Sequence, residues 1–541
     1  MKKHIQKIWK LLALQVLFFL LYSIASASIP YLTKILFDYD FSAGPGGLVW
    51  LGALFLVLIA VLYGAQYLSQ LFSWRADRRF LFSLRADLFN GLFRRSYADF
   101  TQKSVGDYLS ILTNDISTLQ QNWLEPAMDI INFSLMVAVY AVVLFVFVDF
   151  RIATVILIAS LLTVFLPKVT AKELSRRRQR EQALLERYTS KAKDLLEGFS
   201  FASRRTRPAF AREHETALDR QQAATYKRGL FYSFSLVLNG ACLSLINLSA
   251  FLAVGVLLWQ GEITLGTGVA TLGYIESFTM PIQYILESVN SLASVAGVRE
   301  KVLAYTTYTP PAQPALPAAP APLQLRDAAV EVARFRLEPF TYTFACGKKY
   351  AITGPNGAGK STLFRAIAKQ APLAGGAVFA GTAAAADCDT SDAIGYVEQS
   401  GHIFAAGYRE NVTLFGAYDA ARLANAEAQL DCAMLAQVRR AADCTTLSGG
   451  QKQLVQLVRA LVSGQPILLL DEPFSAMDRE TGDLIQRKLL ALPDKTILVV
   501  THDLAPEHLR LYDEVLVLQD GRLIFAGPPE QTPALQTGEN G

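Results

Sequence analysis

At 541 residues the chain is too long for one ordinary domain, so two or three units are expected. A composition of 52% hydrophobic and 18% charged residues excludes an ordinary soluble protein, and the excess is uneven: residues 1–300 carry long uncharged runs, whereas residues 324–541 read as a soluble α/β protein. A net charge of +4 gives no ground for a nucleic-acid partner, and none is expected.

The chain begins with Lys2, Lys3, Lys7 and Lys10 before the uncharged run Leu11 to Thr33. That run is longer than a signal-peptide core and lacks a small-residue cleavage site, so it is read as a first transmembrane helix. Similar runs occupy Phe41 to Trp74, Ile130 to Val148 and Gly229 to Gly261, each long enough for the ~20 residues a spanning helix needs. Ile152 to Pro167, bounded by Arg151 and Lys168, and Leu265 to Leu303, interrupted by Glu276 and Glu287, bring the expected number to six.

Arginine and lysine crowd two connections, one with Arg75, Arg78, Arg79 and Arg85, the other with Lys172, Arg176, Arg177 and Arg178, while the alternate connections are short and nearly free of positive charge. Positive charge stays on the cytoplasmic side, which places both termini there, in the cytoplasmic membrane. Phe80, Leu84, Leu88 and Phe93 recur at helical spacing, so the basic segments are expected to continue the membrane helices as long rods.

Thr309 to Pro322 alternates proline and alanine, favours extended backbone and cannot pack a core. The expected division is a transmembrane domain over 1–308, a linker over 309–323 and a nucleotide-binding domain over 324–541. Cys242 lies in an apolar run, and Cys346, Cys388, Cys432 and Cys444 lack paired metal-ligand spacing, so free thiols in a reducing cytosol are expected.

In the second half the apolar strand Lys349 to Thr353 leads into Gly354-Pro355-Asn356-Gly357-Ala358-Gly359-Lys360-Ser361-Thr362, followed by a helical pattern. Strand, glycine loop and helix in that order make a phosphate cradle for ATP. Gly354, Asn356, Gly357 and Gly359 let the loop curl its N–H groups round the phosphates. Lys360 reaches the β- and γ-phosphates, and Ser361, followed by Thr362, offers a hydroxyl to Mg²⁺. Ile467 to Leu470 is a buried parallel strand delivering Asp471 to a Mg²⁺ shell and Glu472 as general base for the attacking water. A second such strand, Ile497 to Thr501, carries His502 to the edge where open α/β sheets place ligands, and toward the γ-phosphate.

With Leu447-Ser448-Gly449-Gly450-Gln451 added, the chain resembles the ATP-binding cassette family, and six helices followed by one cassette resembles its type IV exporter-like half-transporter. The fold class implied is an α-helical transmembrane domain followed by an α/β P-loop ATPase. In that family Gln399 is similar to the glutamine that senses Mg²⁺ and couples to the membrane half, and Asp478, in Ser475-Ala476-Met477-Asp478, to the D-loop. Ser448, Gly449 and Gly450, with Gln451 beside them, would complete the ATP site of a second subunit. The long rods would end in short coupling helices, around Gly106 to Asn114 and Gly198 to Arg205. Two departures stand out: Arg439 to Thr446 replaces the usual acidic, glycine-containing loop, and the aromatic residue that stacks on adenine is missing from its usual place, with Phe335 a substitute.

The resemblance implies ATP hydrolysis coupled to transport by alternating access of a dimer in the lipid bilayer. Because Glu472, His502 and the signature are all kept, a homodimer is slightly favoured over a heterodimer. The cargo expected is an amphipathic small molecule, lipid or peptide. Glu276, within the sixth helix, is a candidate to meet a cationic group on it, although pairing with a neighbouring helix explains the acid as well. Gln15, Gln66, Asn239 and Asn247 are weaker candidates. No peptidase segment precedes the first helix in this sequence, which argues against a leader-cleaving peptide exporter. Two alternatives stay open: an importer of a metal chelate such as a siderophore on the same fold, and a non-transporting regulatory membrane ATPase.

Overall fold

The computed structural model describes residues 1–40, 45–147, 150–310, 313–316, 321–332 and 335–532. The chain divides into two compact units, Met1–Phe93 with Val105–Tyr308, and Arg94–Ser104 with Thr309–Gly541.

The first unit is helical. Its long helices are Lys2–Phe37, Gly46–Phe93, Glu125–Phe147, Phe150–Glu197, Arg207–Trp259 and Leu265–Ser294, at the six places expected from the sequence. Among the described residues, Lys2–Phe37, Gly46–Phe93 and Val105–Val146 hold stretches long and apolar enough to cross a membrane. At 1.5 Å per residue, the 48 residues of Gly46–Phe93 make a rod of about 72 Å, more than twice the ~30 Å of a hydrocarbon core. The basic segments therefore do prolong the membrane helices.

At the first turn of these rods the separate short helix is Tyr97–Thr101, capped by Ser96, whose side chain accepts from the N–H of Asp99. Gly106 to Asn114 lies instead in the returning helix, which passes through a π-helical segment at Ile111–Asp115. The reason is local: the Ser96 side chain offers the cap that starts the short helix. The second turn holds the 3₁₀ segment Gly198–Phe201, as the sequence suggested.

The helices pack through a buried cluster of Ala27, Met136, Tyr140, Leu144, Ala270 and Tyr274. Its polar tips are satisfied internally: Tyr274 donates to the carbonyl of Ala27 at 2.6 Å, and the hydroxyls of Ser26 and Tyr140 meet at 2.8 Å. Both facing helices carry an internal proline, Pro30 and Pro281, and Gly273 leaves the space that lets Pro30 come within 3.5 Å of where its side chain would begin. A cavity of about 450 Å³ opens beside this core, lined by Phe19, Tyr22, Phe133, Met280 and Tyr284 with Gln66, Ser69, Gln70 and Ser277. Phe133 stacks on Tyr284 with ring centroids 4.8 Å apart, and Phe19 meets Phe133 edge-on. The side chains of Glu276, Asn239 and Cys242 lie outside the described residues.

The second unit is α/β. A six-stranded sheet runs in the order Arg522–Gly527, Glu514–Gln519, Lys349–Thr353, Thr496–Val500, Ile467–Asp471, Ile394–Val397. All but the first pair of neighbours are parallel. Strands Lys349–Thr353, Ile467–Asp471 and Thr496–Val500 are buried at every position, as parallel strands covered on both faces must be. Successive side chains feed opposite cores: Ile352, Leu469, Leu498 and Val500 enter one, and Ala351, Leu468, Leu470, Ile497 and Val499 the other. A smaller antiparallel sheet orders Phe335–Phe344, Leu323–Val332, Leu373–Ala380 and Ala383–Ala384. Cys346, Cys388, Cys432 and Cys444 are free thiols.

Candidate active site

Four neighbouring parallel strands end on one edge of the six-stranded sheet, and each delivers a predicted residue there. Lys349–Thr353 opens into the glycine loop, Thr496–Val500 into His502, Ile467–Asp471 into Glu472, and Ile394–Val397 into Gln399. The C-terminal edge of such a sheet, where loops leave the strands, is the natural ligand crevice.

The loop's shape depends on its glycines. Gly354, Gly357 and Gly359 have φ of 142°, 83° and 100°, which a side chain rarely tolerates. A Cβ on Gly354 would lie 2.0 Å from the carbonyl oxygen of Leu518, and one on Gly359 would lie 2.5 Å from the ring of Phe335. Gly357 has nothing within 4 Å of that position, so the loop's crest is open. Gly359 caps the helix Lys360–Ile367, whose N-terminal N–H groups add positive dipole at the crest. Asn356 is exposed at the loop tip, and Ser361 and Thr362 are half-buried in the first turn. The Lys360 ammonium donates to the carbonyls of Gly354 at 2.8 Å and Pro355 at 3.1 Å. Burial pushes its pKa below the usual lysine value, and the charges of Glu472 and Asp471 oppose that shift.

Glu472 is gripped on both carboxylate oxygens. Gln399 donates from Nε2 to Oε2 at 2.6 Å, and Nε2 of His502 lies 3.0 Å from Oε1. The backbone of Glu472 sits at φ 48°, in the left-handed region, and its N–H donates to the carbonyl of Val500 at 3.0 Å. Strained backbone of this kind persists only where its surroundings hold it, and here a neighbouring strand and two side chains do so. Asp471 is buried and accepts from the hydroxyl of Tyr396 at 3.4 Å. Gln399, Glu472, Asp471, His502 and Lys360 thus gather at one edge of the sheet.

Ser448, Gly449, Gly450, Gln451 and Asp478 form a second cluster. Ser448 caps the helix Gly449–Ser463 in a capping box: its Oγ accepts from the N–H of Gln451 at 3.4 Å, and Oε1 of Gln451 accepts from the N–H of Ser448 at 3.1 Å. A side chain on Gly450 would start 2.7 Å from the carbonyl oxygen of Ala476, so both glycine type and D-loop approach are explained by one close contact. Asp478 caps the next helix, Arg479–Leu490, by accepting from the N–H of Thr481 at 2.9 Å. The sequence reading missed Gln453, a buried residue of the signature helix that donates to the carbonyl of Glu472 at 3.3 Å and to Ser475 at 3.0 Å. It missed Tyr396 as well. Gln453 follows Gln451 of the signature by two residues, yet nothing local distinguishes an inward glutamine from an outward one.

Arg439, in the departing loop, donates to both carboxylate oxygens of Glu427, with the Nε bond at 3.0 Å, and Tyr408 donates to the same carboxylate at 2.9 Å. That guanidinium is therefore committed within its own unit.

Comparison with known proteins bears on the whole chain. The family description "ABC transporter transmembrane region" matches residues 12–282, half of the chain, and "ABC transporter" matches residues 337–475. The chain is similar to the "Fatty acid ABC transporter ATP-binding/permease protein" of Mycobacterium bovis, 26% identical over 90% of this chain and 79% of that protein. It is also similar to the "ABC-type oligopeptide transporter ABCB9" of Homo sapiens, 27% identical over 83% of this chain and 61% of that one. Among solved structures, that of a bacterial Atm1-family ABC exporter with ATP bound superposes with a TM-score of 0.81 over 98% of both chains, at 18% identity. Helical membrane unit, ATP-binding unit and family match agree: the chain belongs to the ABC transporter family, as a fused half-transporter whose ATP hydrolysis drives transport.

Proposed function

We propose that the chain is half of a dimeric exporter of an amphipathic molecule in the cytoplasmic membrane, with both termini and the ATPase unit on the cytoplasmic side. The observation that carries the reading is the double grip on Glu472, by Gln399 at 2.6 Å and His502 at 3.0 Å, in a chain whose signature is also intact. An intact set supports a working hydrolytic site rather than a regulatory one, and favours two identical subunits over a pair with one spoiled site.

The chemistry follows from the donors. Glu472 accepts a proton from the water that attacks the γ-phosphate; His502 orients that carboxylate and faces the same phosphate; the Lys360 ammonium and the loop N–H groups hold the transferred charge. The hydroxyl of Ser361, the carboxylate of Asp471 and the amide oxygen of Gln399 are hard oxygen donors, a set that fits Mg²⁺ held by one carboxylate and by phosphate. Bound there, Mg²⁺ would neutralise charge developing on the phosphates. The ring of Phe335 approaches the glycine loop at Gly359, which supports a role for it in stacking on adenine. Ser448, Gly449, Gly450 and Asp478 serve the nucleotide of the second subunit.

The aromatic and amide lining of the cavity between the membrane helices supports an amphipathic cargo. The fatty acid and oligopeptide named for the two relatives belong to that class, and the exporter title of the superposed structure supports outward transport. Glu276 belongs to the helix Leu265–Ser294, which lines this cavity through Ser277 and Tyr284, and would select cargo with a positive group. The test is ATP-dependent accumulation of labelled amphiphiles in inside-out vesicles. Uptake by whole cells that is lost in Glu472→Gln would point to import and overturn the direction.

A further inference from the structure

Outside the residues already assigned, one buried titratable side chain lies between the catalytic loop and the D-loop. His508 is 5% exposed, on the short helix Pro506–Leu509. Its Nδ1 meets Oδ2 of Asp503, the residue next to His502, and its Nε2 lies 3.2 Å from Oδ1 of Asp483. Asp483 belongs to the helix Arg479–Leu490, whose cap is Asp478. Glu507 is the remaining acid close by, 4.0 Å from Nε2, and it is engaged by Arg479 at 3.1 Å. One imidazole therefore joins two segments that bear on the reaction, with a carboxylate at each nitrogen. His508, Asp503, Asp483 and Asp478 line a cleft of about 450 Å³ that also reaches Glu472, Ser475 and His502.

We propose that His508 is a positioning residue that clamps the His502 loop to the helix begun by Asp478, so that the aim of His502 at Glu472 and the placement of the D-loop are set together. An imidazole presents two ring nitrogens at fixed angles, and each here lies within reach of a carboxylate, which suits the ring to hold a spacing. The energy of such a buried pair is a poor reason for its presence, since apolar side chains of similar volume often stabilise as well. Its position supplies the reason: Asp503 is one peptide from His502, and His502 lies 3.0 Å from Glu472. Although burial opposes it, the N–H of Ala505 and the His508 ring hold the Asp503 carboxyl below its ordinary range, as a carboxylate in a working ion pair should be.

The inference rests on the assignment of Glu472 as base, which the Glu472→Gln variant tests separately. The experiment uses the full-length protein reconstituted in nanodiscs, comparing wild type with His508→Leu, His508→Asn and His508→Gln in steady-state ATPase assays. His508→Leu loses both donors, and a displaced His502 predicts a fall in kcat of about 10- to 100-fold with KM for ATP nearly unchanged, because the glycine loop is untouched. Asparagine keeps a donor in the place of Nδ1 and glutamine one in the place of Nε2, so each should retain intermediate kcat. Adding Asp483→Asn to His508→Leu should cost nothing more, whereas the two losses would multiply if the residues acted independently. Wild-type kcat in His508→Leu, or a parallel change in kcat, KM and melting temperature, would overturn the proposal. If the leucine variant does not fold, wild-type kcat in both the asparagine and glutamine variants overturns it equally.

Discussion

The Nε2 of Gln453 lies 3.0 Å from the hydroxyl of Ser475, and Oε1 of the same amide accepts from the N–H of Ala476 at 3.0 Å. The signature helix is thereby fastened to the segment that follows Glu472 within one subunit. Replacing Gln453 by Leu would leave the Ala476 N–H without this acceptor, at about 1–3 kcal/mol for a buried group left unsatisfied, while the Glu472 carbonyl would keep the Ser475 hydroxyl at 3.0 Å. Thermal unfolding should show that loss as a lowered melting temperature, and ATPase assays a reduced kcat.

Glu472→Gln keeps the volume of the side chain and an oxygen to accept from Gln399, but removes the carboxylate proposed as base. Nucleotide affinity should persist while turnover falls by about 10²–10⁴, the usual contribution of a positioned base. Filter binding of labelled ATP alongside phosphate release separates the two, and turnover within twofold of wild type would exclude Glu472 as the base.

Ser448 caps a helix and is proposed to serve the nucleotide of the second subunit, and different substitutions separate the two. Ser448→Ala removes the cap of the helix Gly449–Ser463, worth about 1 kcal/mol, and should be seen mainly as a small drop in melting temperature. Ser448→Arg should abolish turnover by blocking the nucleotide of the second subunit, with ATP binding to the subunit's own loop retained. Undiminished ATPase in that variant would refute the shared site.

Phe335→Ala should raise KM for ATP about tenfold, in line with the ~1–3 kcal/mol of base–aromatic stacking, while Phe335→Tyr should keep it. Gly359→Ala should be worse than either, because φ of 100° disfavours a side chain and the new methyl group would collide with the Phe335 ring. Both effects are measurable from initial rates across ATP concentration.

What could be read in the chain was whatever its local pattern determines. The glycine loop, the apolar strands before Glu472 and His502, and the uncharged runs of the membrane helices each carry their meaning within a dozen or two neighbouring residues. The double grip on Glu472 was not read from the sequence, which sent His502 to the γ-phosphate and Gln399 to Mg²⁺; the order of the strands in the sheet is what brings the three side chains together. Gln453 and His508 escaped notice because their partners are fixed by packing between helices and loops. The start of the short helix Tyr97–Thr101 was signalled by Ser96, but a serine in a polar turn competes with many equivalent ones.

The unbroken span Gly46–Phe93 has a mechanical consequence. A rod of about 72 Å tilted by about 5° at one end displaces the other by about 6 Å, more than the height of a helical turn. Small rotations beside the cavity therefore become large excursions at Phe93, and a lever of this length needs no hinge within the bilayer to report one end to the other.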